Sequence, residues 1–183
     1  MIDVNTDLIQ RAQGGDATII GELYERYHLS IFRYLYYRVG DRQTAEDLTS
    51  EVFVRMLRFL GSFQPPSSSF QAWLFQIARN ISTDHYRKMS LRNDVQLEEN
   101  LTAGKDHPEH NVEYVLTIEG LRQALAKLNE DQRDVIVLRF VAGMPIAEVA
   151  QALNKSEDAI KGLQRRALMA LRELLADWEV SYA

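Results

Sequence analysis

The stretch PIAEVAQALNKSEDAIKGLQRRALMALRELL, residues 145–175, decides the fold. Pro145 suits the first turn of a helix, where its missing N–H would have no intrahelical partner in any case. Ile146, Val149, Ala150 and Leu153 then recur at helical spacing. Asn154 can stop that helix in a left-handed conformation, and Ser156 can cap the next, with Glu157 and Asp158 at its positive end. A short helix, a turn of about three residues and a longer helix make the layout of a helix-turn-helix. Placed at about 100° intervals, Ile160, Leu163, Ala167, Ala170, Leu171 and Leu174 form one apolar face of the second helix. Asp158, Lys161, Gly162, Arg165, Met169 and Arg172 lie opposite. Lys and Arg on such a face can meet guanine edges or phosphates in a major groove. An antiparallel helical pair with merely solvated charges would show some of the same pattern. The cap-turn-cap layout and a net charge of +3 over residues 155–172 favour DNA.

Outward from this segment, everything periodic is helical. Ile19 and Ile20, Leu23, Tyr27, Ile31 and Leu35 predict a helix from Asp16 to Val39, stopped by Gly40. A second helix is expected from a capping arrangement near Thr44, through Leu48, Val52, Met56 and Leu60, to Gly61. Residues 61–69 hold two consecutive prolines and read as a loop. A third helix is expected over about Phe70 to Met89, burying Leu74, Ile77, Ala78 and Ile81. In the second half, Asn111 can cap a helix running to Leu128, and Asn129 can cap another ending at Gly143. Between the halves, residues 94–112 carry five acids and one Lys with no helical period, and read as a solvated linker.

The 183 residues carry 21 Lys and Arg against 26 Asp and Glu, a net charge of −5. That total argues mildly against nucleic acid, but residues 79–92 also sum to +3. A phosphate senses charge within a Debye length of roughly 8–10 Å, so local patches outweigh the total. In the first patch, Gln76, Arg79, Asn80, Thr83, Tyr86 and Arg87 point away from the apolar face of helix 70–89. The neighbouring loop adds Phe63, Gln64 and serines. Aromatic, amide and basic groups together suit unpaired nucleic acid, where bases stack and phosphates meet cations. Phe70 and Trp73 read instead as core, and Asp84 as a helical-spacing partner for Arg87 or Lys88. Helix 44–60 presents Asp47, Glu51, Val54, Arg55 and Arg58 opposite its buried stripe, which fits either a protein interface or ordinary surface.

Taken together, the segments resemble the extracytoplasmic-function (ECF) group of bacterial RNA polymerase sigma factors, over nearly the whole chain. Ala45 to Phe53 is similar to the family's polymerase-binding helix. Phe70 to Asn80 with Asp84 to Lys88 resembles its promoter-melting, minus-10-reading helix. Leu128 to Leu138, Ile146 to Ala150 and Ser156 to Leu171 resemble its minus-35-binding domain. The resemblance implies an all-α initiation factor of two small helical domains, 1–93 and 113–183, joined by a flexible acidic linker, 94–112, that threads a basic channel of polymerase. It assigns core-polymerase binding to Asp47, Glu51, Val54 and Arg55. Minus-10 DNA falls to Phe63, Gln64, Asn80, Thr83, Arg87 and Lys88, and minus-35 DNA to Ser156, Lys161, Gly162, Arg165 and Arg166. The implied partners are core RNA polymerase, promoter DNA and an anti-sigma factor. Ala159 and Gly162 stand where the family often has small hydroxyl residues, and Leu163-Gln164 replaces a more basic pairing. Free, the two halves are expected to pack together and hide their DNA faces until polymerase parts them.

The rival is a stand-alone helix-turn-helix repressor with a sensing or dimerising first half, which would bind paired half-sites as a dimer but gives no reason for a second basic patch. An enzyme is not expected. There is no cysteine, no Gly-rich phosphate loop and no nucleophile motif. His107 and His110 are close in sequence, but the presumed linker gives them no held geometry for a metal, so no cofactor or metal is expected. The longest aliphatic run, Val135 to Leu138, is far short of the roughly 20 residues that span a membrane. Met1 to Asn5 lacks the opening of a signal peptide. The expected location is the cytoplasm.

Overall fold

In the computed structural model, residues 6–65, 69–93 and 112–182 are described, and they hold helices and no strand. The order is α1 (Thr6–Gln13), α2 (Ala17–Val39), α3 (Arg42–Phe59), a 3-10 turn at Leu60–Ser62, α4 (Phe70–Asn93), α5 (Val112–Lys127), α6 (Glu130–Ile136), a π-helical turn at Val137–Val141, α7 (Ile146–Leu153) and α8 (Glu157–Tyr182).

Local chemistry sets most of these boundaries. The Asp16 carboxylate accepts from the Thr18 and Ile19 amides, satisfying first-turn donors that have no intrahelical partner. Gly40, at φ +77°, ends α2 in a left-handed conformation open to glycine at little steric cost. Asn129 accepts from Gln132 at the start of α6, and Ser156 from Ala159 at the start of α8. Asn154 takes the left-handed conformation between α7 and α8, at φ 52°. The capping arrangement expected at Thr44 is corrected: α3 begins at Arg42, and Asp41 caps it by accepting from the Thr44 amide at 2.7 Å.

Three further differences stand out. The helix α1 precedes the first expected one, burying Leu8, Ile9 and Ala12. The helix α4 runs four residues past Met89. The segment expected to stay α-helical to Gly143 widens into the π turn, where Ala142 N–H donates to Val137 O, five residues back. The Arg139 guanidinium fastens that turn by donating to Met144 O and to Gln164 Oε1 of α8. The Asn111 cap lies outside the described residues.

Packing follows from the apolar stripes. Leu23, Ile31, Tyr34 and Leu35 of α2 are buried with Val52 and Met56 of α3 and Leu74, Phe75 and Ala78 of α4. Val135, Leu138, Met144, Val149, Leu153, Ile160, Ala167 and Leu171 fill the second half. Each fully buried Val, Leu, Ile, Phe or Met side chain among them stabilises by about 1.5–3 kcal/mol in transfer terms. The halves also pack on each other, α4 against α7, and α2 against α5, α6 and the π turn.

Candidate nucleic-acid and polymerase interfaces

On α8 the two faces separate by burial. Ile160, Ala167 and Leu171 face the core, while Ser156, Lys161, Arg165, Arg166 and Met169 are exposed, and Gly162 is half-buried. Lys161 Nζ lies 3.0 Å from Asp158 Oδ1. That hydrogen bond raises the ammonium pKa from its ordinary value. The Arg166 guanidinium folds back over Gly162, so a Cβ added at 162 would lie 3.4 Å from Nη1. Four of the five residues expected at minus-35 DNA are thus exposed, with Gly162 half-buried under the Arg166 guanidinium.

On α4, Asn80, Arg87 and Lys88 are exposed and Thr83 is half-buried. Arg87 stands 77% exposed, with Asp84 4.0 Å away. Gln64 is exposed, but Phe63 is not. Its ring is 6% exposed and packs 4.9 Å from Trp73 and 5.6 Å from Phe70, centre to centre. The expectation of a free aromatic face at Phe63 is therefore corrected for this conformation. The cause is α1: Gln13 Nε2 donates to Leu60 O and Phe63 O, holding the loop's start against the core. Phe70 is buried and Trp73 partly buried, as expected. Ser67 and Ser68 lie outside the described residues.

On α3, Asp47, Glu51 and Val54 are exposed, and Arg55 is half-buried, bonded to Glu51 Oε1 at 2.7 Å and 3.8 Å from Asp84 Oδ2. Leu57 and Phe59, which the helical pattern did not single out, are about half exposed on the same helix. Together with Val54 they make the outer face of α3 more apolar than a solvated helix requires. Their signal was present in the sequence as apolar residues off the buried stripe.

Between the halves lies a buried ionic seam. Asp134 of α6 is wholly buried and meets the Arg38 guanidinium, Tyr34 Oη at 3.1 Å and Arg79 Nε at 3.1 Å. Arg38 also reaches Glu130 at 2.6 Å, and Arg79 reaches Asp131 at 3.4 Å. Asp131 in turn holds Lys155, in the helix-turn-helix turn, at 2.9 Å. Burial opposes the Arg38 charge, but Tyr34, Asp134 and Glu130 outweigh it and hold its pKa above the ordinary range. The Arg38 hydrogen bond lowers the Glu130 carboxyl, and burial with Asp134 nearby pushes the Tyr34 phenol well up. A cleft of about 660 Å³ opens beside the seam, lined among others by Thr83, Arg87, Glu130 and Arg133.

Among the described residues, no three His, Asp or Glu are grouped to hold a metal ion, and no helix is long and apolar enough to cross a membrane. His107 and His110 lie outside them.

Residues 23–92 match the family model for sigma-70 region 2, and residues 124–173 match that for sigma-70 region 4. The chain belongs to the sigma-70 family, in its ECF group. It is 43% identical to the ECF RNA polymerase sigma factor BldN of Streptomyces coelicolor over 173 residues, covering 93% of this chain and 66% of that protein. It is 35% identical to the ECF sigma factor SigX of Bacillus subtilis, over 82% of this chain and 80% of that one. The chain thus spans about two thirds of the length of BldN and more of SigX. Among solved structures, CnrH in complex with the cytosolic domain of CnrY matches with a TM-score of 0.75 at 26% identity, over 96% of this chain and 99% of that one. The sigma factor is therefore a transcription initiation factor, which sets the stand-alone repressor aside.

Proposed function

We propose that this sigma factor binds core RNA polymerase and directs it to promoters whose minus-35 duplex and unpaired minus-10 strand it reads with separate domains. The domains are 1–93 and 113–183, joined by 94–112. The outer face of α3 docks on polymerase through Asp47, Glu51, Val54 and Arg55, and the exposed Leu57 and Phe59 extend that face. Gln64, Asn80, Thr83, Arg87 and Lys88 hold minus-10 DNA, with Phe63 joining only where the loop leaves its packed position. Ser156, Lys161, Gly162, Arg165 and Arg166 face minus-35 DNA. An anti-sigma factor is the expected inhibitor, by analogy with CnrH, which was solved with the cytosolic domain of CnrY. The protein works in the cytoplasm, beside polymerase, with no catalysis, metal or cofactor of its own.

One observation supports this reading above the others. The matches to regions 2 and 4 coincide, in order, with the two segments that carry local positive charge in an acidic chain. The test is transcription from a random promoter library by purified core polymerase, with and without the protein. Sequence-specific initiation that depends on the protein is expected, and the selected sequences would give both elements at once. If core polymerase pulls down no protein and no promoter fires, the assignment of α3 and of the DNA faces is wrong.

A further inference from the structure

The helix α1 lies ahead of the stretch that matches region 2, residues 23–92, yet it reaches the loop assigned above to minus-10 DNA. Gln13, the last residue of α1, donates from Nε2 to Leu60 O at 2.9 Å and to Phe63 O at 2.7 Å. Two carbonyls need two donors, and a carboxamide nitrogen carries two N–H groups. The helix it reaches from is firmly held. Leu8, Ile9 and Ala12 are buried. The turn after Gln13 is closed by Gly14 N–H on Gln10 O, by Gly15 N–H on Ala12 O and by an Arg11–Asp16 ion pair at 2.7 Å. The far end of the Gln13 bonds bears on Gln64. A peptide unit is planar from one Cα to the next, so a bond that fixes Phe63 O also fixes the plane from which Gln64 leaves. The Phe63 ring, packed on Trp73 and Phe70, holds the residue before that plane. Pro65, next in the chain, disfavours the α region for Gln64 and biases it to extended backbone. Gln64 itself is exposed. Restrained on both sides, its backbone has less freedom to lose when the side chain hydrogen-bonds the edge of an unpaired base than it would on a slack loop.

We propose that Gln13 is a positioning residue for base selection, presetting the direction in which Gln64 meets a minus-10 base without touching DNA itself. This rests on the assignment of Gln64 to minus-10 DNA and adds the group that aims it. It also gives α1, which contributes no residue to either DNA face, a part in choosing the promoter.

The experiment is promoter-library transcription by purified core polymerase with the full chain. Sequencing the transcribed promoters gives base preference at each position for wild type, Gln13→Met, Gln64→Ala and the double variant. Methionine keeps the length of the side chain and removes both donors. Gln13 is half-buried, so water can serve the two carbonyls it releases, and far-UV circular dichroism checks the fold. Gln13→Glu, of the same shape but acceptor-only when ionised, is a second route to the same loss. The expected result is that both Gln13 variants flatten the preference at the minus-10 position that Gln64→Ala flattens. The change should be at least about fivefold, the lower end of what one base pair contributes to discrimination, with minus-35 preferences as in wild type. Added to Gln64→Ala, Gln13→Met should change that position no further, because it acts through Gln64. Wild-type preference retained in the Gln13 variants, an even loss over both promoter elements, or a loss that adds to that of Gln64→Ala overturns the proposal and leaves Gln13 a support of the fold. A wild type that selects no minus-10 base overturns the minus-10 assignment itself, and this inference with it, so the two failures are told apart.

Discussion

Gly162 stands in the first third of α8, on the side expected to face DNA, and its replacement by alanine separates stability from function. Glycine in a helix interior is about 0.8–1 kcal/mol worse than alanine, because it loses more backbone freedom on folding. The position is helical, with no positive φ, so alanine adopts its conformation without strain. A Cβ there meets nothing closer than Arg166 Nη1 at 3.4 Å, ordinary contact with the end of a flexible side chain. Gly162→Ala should therefore stabilise by roughly 0.8–1 kcal/mol. For a cooperative unit of this size that is about 2–4 °C in Tm. If the flexible Arg166 side chain swings aside and a phosphate or base approaches the helix backbone at Gly162, the added methyl should weaken binding of the selected minus-35 duplex by about 1–3 kcal/mol, the usual effect of one lost contact. Thermal melting by circular dichroism and duplex anisotropy at fixed salt read the two effects on the same samples. Higher Tm with unchanged duplex affinity would refute the close-approach argument. Unchanged or lower Tm would refute the helix argument.

Three other outcomes follow from the same geometry. Arg165→Ala should cost about 1–3 kcal/mol and relax preference at one promoter position; a uniform loss across the library would mean a phosphate contact instead. Asp134→Ala leaves the Arg38 charge buried with its Nε already unpartnered, a loss of about 3–5 kcal/mol read in urea unfolding, whereas Arg38→Met with Asp134→Leu should lose much less. Acid should loosen the seam: the folded Glu130 pKa is lowered from its ordinary value of 4.5, so its contribution is present above that value and is lost as pH falls through the lowered one. Urea unfolding repeated across pH should show this loss, and Glu130→Gln should remove that part of it; identical curves for both proteins would rule Glu130 out.

How much of this was legible in the sequence depends on how far apart the partners are. The Asn129 and Ser156 caps and the left-handed Asn154 use groups within a few residues, so residue type and order suffice to find them. Asp41 was missed because Thr44, three residues on, is also a good cap residue. The helix α1 offers only Leu8, Ile9 and Ala12, too short a pattern to announce itself, yet its Gln13 determines where Phe63 sits. The faces of α3 and α8 were readable from the 3.6-residue period. The seam was not. Arg38 and Asp134 are 96 residues apart, and Arg79 and Asp134 are 55 apart. No periodicity connects such residues, and Arg79 in a basic run reads as a DNA contact when its folded partners are carboxylates.

The net charge of −5 misleads for a reason the seam makes concrete, and the reason has a measurable consequence. Some of the acids behind that total are not dispersed over the surface but lie against the cations a nucleic acid would use. In the structure Arg79 and Lys155 already have counterions supplied by the protein, so binding DNA there would exchange one anion for another and release few salt ions. If Arg79 exchanged these carboxylates for a DNA phosphate, each phosphate so neutralised would add about −0.7 to the slope of log affinity against log salt for a single strand. For Lys155 on a duplex the increment is about −0.9. Salt titrations of Asp131→Asn/Asp134→Asn should therefore run steeper than those of wild type by about one such increment on each DNA form. Glu25→Gln, which neutralises an exposed acid on α2 away from the seam, should run parallel to wild type. Parallel lines for all three proteins would mean that Arg79 and Lys155 never meet phosphate, and that the carboxylates facing them serve the fold alone.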